Sequence, residues 1–168
     1  NLELQVGRVD FSNLPAFSSS EQQLLKNYLD KDHNYRKKVF SANKRAVISD
    51  NFGYFGGEAF AASGYKNFGP LVGVSNVTAT AAGYFSTMTG NSYLWSYACG
   101  GGSYVSAGGI GNTNNFSSSN LQGVFTMMFG SYFGDWDSQN NFLRAPLAQG
   151  TILTNVWSGR PHFQFHHM

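Results

Sequence analysis

The single thiol of the chain, Cys99, ends a short apolar run, Tyr93-Leu-Trp-Ser-Tyr-Ala-Cys99, and three glycines follow it. Further on, a second run, Val124-Phe-Thr-Met-Met-Phe129, breaks into Gly130-Ser131-Tyr-Phe-Gly-Asp135. A buried strand that stops in a glycine-rich turn presents side chains at the carboxyl edge of a sheet, where α/β proteins gather ligands and catalytic groups. A thiol there attacks carbonyls only as thiolate, so Cys99 as nucleophile needs turn amides or a cation to lower its pKa. The alternative is a small buried apolar residue, the usual state of a lone cysteine. Ser131 as nucleophile needs a base; Asp135 and Asp137 are near in sequence, but carboxylates are weak bases toward a hydroxyl. Its alternative is a loop-capping serine.

Metal chemistry has two candidates. Asp135 and Asp137, with Asp50, offer the oxygens that Ca²⁺ prefers, although Asp-Trp-Asp-Ser lacks the full ligand rhythm of a calcium loop. His162-x-x-x-His166-His167 would place His162 and His166 on one helical face at zinc-ligand spacing. The Glu of a zinc-peptidase helix is missing and Pro161 disfavours the helix, so aromatic packing competes with zinc. No cofactor is expected beyond the Ca²⁺ candidate. His33 sits among charges and is expected to face solvent. Asn76-Val-Thr78 and Asn115-Phe-Ser117 fit the glycosylation acceptor pattern.

Several elements must hold these groups. Ser18-Ser-Ser-Glu21 can cap a helix, and Leu24, Leu25, Tyr28 and Leu29 recur at helical spacing. Leu2–Arg8 alternates as a strand; 45–50, 72–80, 93–98, 124–129 and 151–157 read as further strands. Short helices are expected over 58–65, 82–88 and 141–148. Residues 100–120 form a Gly/Ser/Asn loop whose polar, aromatic character suits stacking on sugars or gripping a peptide. Strands alternating with helices imply a layered α/β sandwich with a mainly parallel sheet.

Composition narrows the setting. The chain has 168 residues, one domain's worth, with 16% aromatic and only 12% charged residues against about 25% in ordinary domains. That balance points to a secreted or cell-surface protein. The net charge of +2 does not argue for nucleic acid, and the basic cluster from Lys26 to Arg45 reads as a solvated helix face and its exit loop, with a patch for an anionic partner as the alternative. One cysteine excludes an intramolecular disulfide. No apolar run approaches the roughly 18 residues of a membrane span. With no initiator Met and no signal peptide, the chain reads as a single domain over 1–168, a fragment of a longer precursor.

Three stretches resemble the gingipain-type cysteine peptidases, a branch of the caspase-like clan. Val6-Gly-Arg8 and the helix after it resemble the family's opening strand and helix. Tyr97-Ala-Cys99-Gly100-Gly101 resembles the strand end that delivers the family's catalytic histidine, as Tyr-x-Gly-His-Gly. Ser131-Tyr-Phe-Gly134-Asp135 resembles the nucleophile turn, Cys-x-x-Gly-Asp. The resemblance implies a caspase-like layered sandwich, here a piece of a larger domain. It also places Gly100 where the family keeps histidine and Ser131 where it keeps cysteine. No histidine lies between His33 and His162.

The leading expectation is therefore a non-catalytic or degenerate peptidase-like domain acting in binding or assembly. Gly100, Gly101, Gly102, Tyr104, Asp135 and Trp136 would contact a peptide or glycan, or other chains of the same precursor or surface assembly. One alternative is a working hydrolase using Cys99 or Ser131; another is a structural subunit of an extracellular assembly.

Overall fold

The computed structural model describes residues 7–54, 60–80 and 82–157. Its centre is a five-stranded, all-parallel sheet: β1 (Ala46–Asp50), β2 (Val77–Ala79), β3 (Tyr93–Cys99), β6 (Gly123–Phe129) and β7 (Thr154–Trp157). Two short strands, β4 (Ser106–Ala107) and β5 (Gly111–Asn112), make a separate antiparallel pair. The helices are α1 (Glu21–Arg36), α2 (Ala62–Val72), α3 (Tyr84–Gly90) and α4 (Thr113–Ser118). Sheet order is β2-β1-β3-β6-β7. From β1 the chain steps one way to β2 and afterwards only the other way, so the order reverses between β1 and β3. In open α/β sheets, that reversal point is where ligands enter.

The inner strands β1, β3 and β6 are buried on both faces, as strands inside parallel sheets are. On one face Val47, Ala98 and Met128 pack with Leu24 of α1, Tyr84 and Met88 of α3 and Phe116 of α4. On the other, Ala46, Ile48, Tyr97, Cys99 and Phe129 pack with Phe68 and Val72 of α2. These inner strands thus meet a core on both sides, which is why β3 and β6 read as nearly continuous apolar runs. The architecture expected from strand–helix alternation is the one observed.

Several local expectations change. The α1 helix is capped by Ser20, whose hydroxyl accepts from the Gln23 amide, but Leu25 and Leu29 are exposed. Its inward side carries Leu24, Tyr28 and Lys31 instead: the Tyr28 hydroxyl donates to the Leu153 carbonyl, and Lys31 Nζ donates to the Leu147 carbonyl. The helix expected over 58–65 forms over Ala62–Val72. Gly64 explains its seat on the sheet, because a Cβ there would press on Ile48 and the Tyr97 ring at 3.3 Å.

The strand expected over 72–80 shrinks to 77–79, after a 3-10 turn over Val74–Asn76. Residues 141–148 form turns and a 3-10 helix, Ala145–Ala148, rather than an α-helix. There the Asn141 carboxamide oxygen accepts from the Leu143 and Arg144 amides, and Pro146 denies a further donor. The expected strand Leu2–Arg8 and the tail histidines lie largely or wholly outside the described residues. Gly7 and Arg8, which are described, are not in a strand.

Candidate functional site at the carboxyl edge of the sheet

In register, Asp50 ends β1 beside Cys99, which ends β3 beside Phe129 of β6. Parallel pairing therefore brings together three strand ends that are far apart in sequence. Cys99 is fully buried. Its Sγ lies 3.1 Å from Asp50 Oδ1 and donates to it. The same oxygen accepts from the Phe52 and Gly53 amides at 3.0 and 3.2 Å, fixing the turn after β1. Burial first, then Asp50 as acceptor and as charge, push the Cys99 thiol up to about 12. At neutral pH it is a protonated donor, the reverse of an activated nucleophile.

Main chain and Asn51 close over the end of β3. Asn51 donates from its backbone to the Cys99 carbonyl at 2.8 Å and from its carboxamide to the same oxygen at 3.1 Å. The Gly108-Gly109 turn lies on top, with the Gly108 amide donating to the Gly101 carbonyl at 2.7 Å. A Cβ at Gly100 would overlap the Gly108 carbonyl oxygen, and one at Gly109, whose φ is +73°, would collide with the Asn51 side chain. Gly100, the position matched to a family histidine, has no room for any side chain. Gly100 is dictated by backbone packing against backbone, Gly109 by its positive φ and the Asn51 side chain.

The second turn packs the same way. A Cβ at Gly102 would overlap the Ser131 backbone, and one at Gly130 would meet the Gly100 carbonyl oxygen at 2.6 Å. So the structure does bring Gly100, Gly102 and Ser131 together, as contacting main chain rather than as walls of an open cleft. Among the described residues no carboxylate, imidazole or amine hydrogen-bonds the Ser131 hydroxyl. His33, the only described histidine, is exposed on the last turn of α1. The next ring along that helix, Tyr35, packs on Phe125 near the amino end of β6, so this end of α1 lies at the opposite edge of the sheet.

No protein-family model, curated protein or solved structure matches this chain. Its chemistry therefore has to be read from its own residues.

The other expected contact residues divide. Tyr104, in the loop after β3, packs against Tyr132, in the turn after β6, with ring centroids 5.6 Å apart. Trp136 turns away to the amino-terminal segment, its indole donating to Asp10 Oδ2 at 3.2 Å beneath the Arg8 guanidinium. The Asp135 amide donates to the Tyr132 carbonyl, and its own carbonyl accepts from Asn141. Among the described residues, no three His, Cys, Asp or Glu side chains gather in a group able to hold a metal.

Sequence reasoning missed the residues that hold this region. Arg144 is 1% exposed and donates to the Ser12 carbonyl at 2.7 Å, the Ser138 carbonyl at 2.8 Å and Asp10 Oδ1 at 3.4 Å. The Ser12 hydroxyl, helped by its amide, the Trp136 indole and the Arg144 charge, outweighs burial and holds Asp10 at about 2. Asn141, also buried, donates to the Phe133 and Asp135 carbonyls at 2.7 and 3.1 Å. A polar residue in an apolar run such as Asn141-Phe-Leu-Arg144 is the signal that was available, because burial of such groups requires partners.

Both glycosylation-type asparagines also have structural duties. Asn76 Nδ2 donates to the Val72 carbonyl at the end of α2, and Asn115 closes a capping box with Asn112 at the start of α4.

A groove of about 750 Å³ runs between Tyr28, Leu143, Leu147 and the outer strand β7. Its lining holds Arg8 and Tyr28 as ionisable side chains and has no nucleophile–base pair. Among the described residues no helix is long and apolar enough to cross a membrane.

Proposed function

We propose that this chain is a non-catalytic relative of the gingipain-type peptidase domain that serves in binding or assembly at a secreted or cell-surface location. The observation that carries the reading is the plugged reversal point: Cys99 is spent as a donor to Asp50, and Asn51 with Gly108-Gly109 fills the crevice above it. Hydrolysis of an acyl bond needs a nucleophile, a base within about 3.2 Å and room for a tetrahedral centre. Cys99 has only the Asp50 carboxylate at hand, which keeps the thiol protonated instead of activating it, and Ser131 has no base among the described residues. The low charge and aromatic content of the chain favour a partner-binding role for the outer turns.

The test is turnover. Incubation with fluorogenic peptide amides covering basic, acidic and apolar P1 residues should release no more product than a Cys99→Ala/Ser131→Ala double variant. Turnover by the parent chain that the double variant lacks would restore the hydrolase reading.

A further inference from the structure

We propose that the loop from Arg36 to Arg45 is a docking surface for anionic lipid headgroups, at the amino edge of the sheet and away from the plugged carboxyl edge. The run Arg36-Lys-Lys-Val-Phe-Ser-Ala-Asn-Lys-Arg45 holds five cations and no acid in ten residues. The other segments that lead into the strands, 73–76, 91–92, 119–122 and 149–153, carry no charged residue. Asp50, Asp135 and Asp137 stand at the opposite edge, at or after the ends of β1 and β6. Charge is thus separated across the sheet, although the net charge of the chain is only +2.

Local structure holds this loop open to solvent. At the end of α1 the Lys37 amide donates to the His33 carbonyl, that of Lys38 to Tyr35 and that of Val39 to Asn34. The last two are the paired bonds of a Schellman turn. Its left-handed position, where glycine is usual, is Lys38 with a φ of +59°. The turn leaves Val39 71% exposed, next to the exposed Lys37 and Lys38. At the far end Arg45 is anchored, its guanidinium 4.4 Å from the Tyr93 ring centroid and donating to the Ser92 carbonyl at 2.9 Å. The acids nearest in sequence are engaged: Asp32 pairs with Arg36, and Asp30 with Lys26. Lys37, Lys38 and Lys44 have no ion-pair partner among the described residues.

The surroundings select the partner. Three exposed ammonium groups attract phosphate as point charges, without the rigid fork that reads a single bidentate ligand. The aromatic rings here are spent on one another: Tyr35 packs on Phe40 and Phe125 with centroids 5.5 and 5.9 Å apart. That disfavours stacking of nucleic-acid bases. The side chain exposed among the lysines is aliphatic, Val39. Cations around an exposed apolar group fit the boundary between headgroups and acyl chains, where both gain at once. An acidic peptide or a sulfated glycan would use the lysines and leave Val39 in water.

Cosedimentation with phosphatidylglycerol vesicles and with phosphatidylcholine vesicles tests this. The chain should pellet with the first at low NaCl, lose most of that binding as NaCl rises, and stay in solution with the second. Each lysine near an anionic surface contributes about fivefold in partitioning, so Lys37→Gln/Lys38→Gly/Lys44→Gln should weaken binding by about a hundredfold. Glycine at 38 relieves the positive φ and keeps this variant folded, which circular dichroism checks. Val39→Ser should weaken vesicle binding and leave binding to heparin or polyglutamate unchanged, and Lys26→Gln, outside the loop, should leave vesicle binding nearly unchanged. No binding to phosphatidylglycerol at low NaCl, an undiminished triple variant, or a Lys26→Gln loss equal to that of a loop lysine would overturn the proposal. So would binding to heparin, duplex DNA or polyglutamate that the triple variant loses, with none to vesicles. None of these outcomes bears on the non-catalytic reading, which falls only to peptide turnover, measured separately.

Discussion

The thiol of Cys99 donates to the carboxylate of Asp50 across a 3.1 Å contact between the ends of β3 and β1. One oxygen of Asp50 thereby takes three donors, so the only sulfhydryl in the chain works as a strut. Its pKa is raised from 9.0 to about 12. A group raised in the folded state contributes stability that is complete below the unfolded value and lost as pH climbs toward the folded one. The stability difference between parent and Cys99→Ser should therefore be constant up to about pH 9 and shift in favour of the variant from there toward pH 12. Urea melts of both chains across that range check it. A difference flat through pH 11 would remove the buried-thiol account.

Gly109 should not tolerate a side chain. Alanine there faces both a positive φ and the Asn51 carboxamide. Gly109→Ala is expected to destabilise by about 2–4 kcal/mol, the combined scale of backbone strain and overpacking. At the open position Gly101, where a Cβ meets nothing within 4 Å, alanine should be close to neutral. Chemical denaturation of the two variants makes the comparison, and equal losses would mean that the turn does not plug the edge.

Lys31 gives the opposite pH signature to Cys99. Burial lowers its ammonium from 10.5 to about 7, even though Nζ donates to the Leu147 carbonyl at 2.8 Å. The folded state then disfavours the charged form. The penalty is full below about pH 7 and vanishes as pH rises toward 10.5. Lys31→Met should raise the melting temperature at pH 6 by about 2–4 °C for each kcal/mol relieved, with the advantage fading by pH 10. A pH-independent advantage would show that packing alone is responsible.

The polar clamp of the 130–144 segment should be costly to cut. Asn141→Ala would strip partners from one buried and one half-buried carbonyl and from two buried amides. A loss of about 2–4 kcal/mol is expected from unmet buried polar groups. Arg144→Ala should cost about 3 kcal/mol or more, as removal of a buried cation does. Losses below 1 kcal/mol in both variants would argue that solvent replaces these partners.

The strand ends were legible in the sequence because each is an apolar run cut by glycine, and the Ser20 cap announced α1. What escaped depends on contacts between distant segments. Lys31 faces inward because the 3-10 helix offers it a carbonyl, while Leu25 and Leu29 stay exposed among the described residues. The bounds of α2 escape local pattern because Gly64, Gly69 and Pro70 are poor helix formers, and Gly64 is seated by close approach to Ile48 and Tyr97 of the sheet. The 100–120 segment read as a loop but folds into β4, β5 and α4, with Asn112 and Asn115 capping each other. At the site, the positions of Cys99 and Ser131 at strand ends were readable from local pattern. The pairing of Cys99 with Asp50 was not, since it is set by parallel register between strands with helices intervening.

Alkylation of Cys99 by iodoacetamide at pH 7.5, followed by intact mass, tests the central claim most directly. Three pKa units between a thiol near 12 and an ordinary one correspond to about a thousandfold less thiolate, and burial removes access as well. The native chain should label at least a hundredfold more slowly, by that order of magnitude, than the same chain in denaturant. Native labelling as fast as in denaturant, or faster, would contradict the account and return Cys99 to the role of nucleophile.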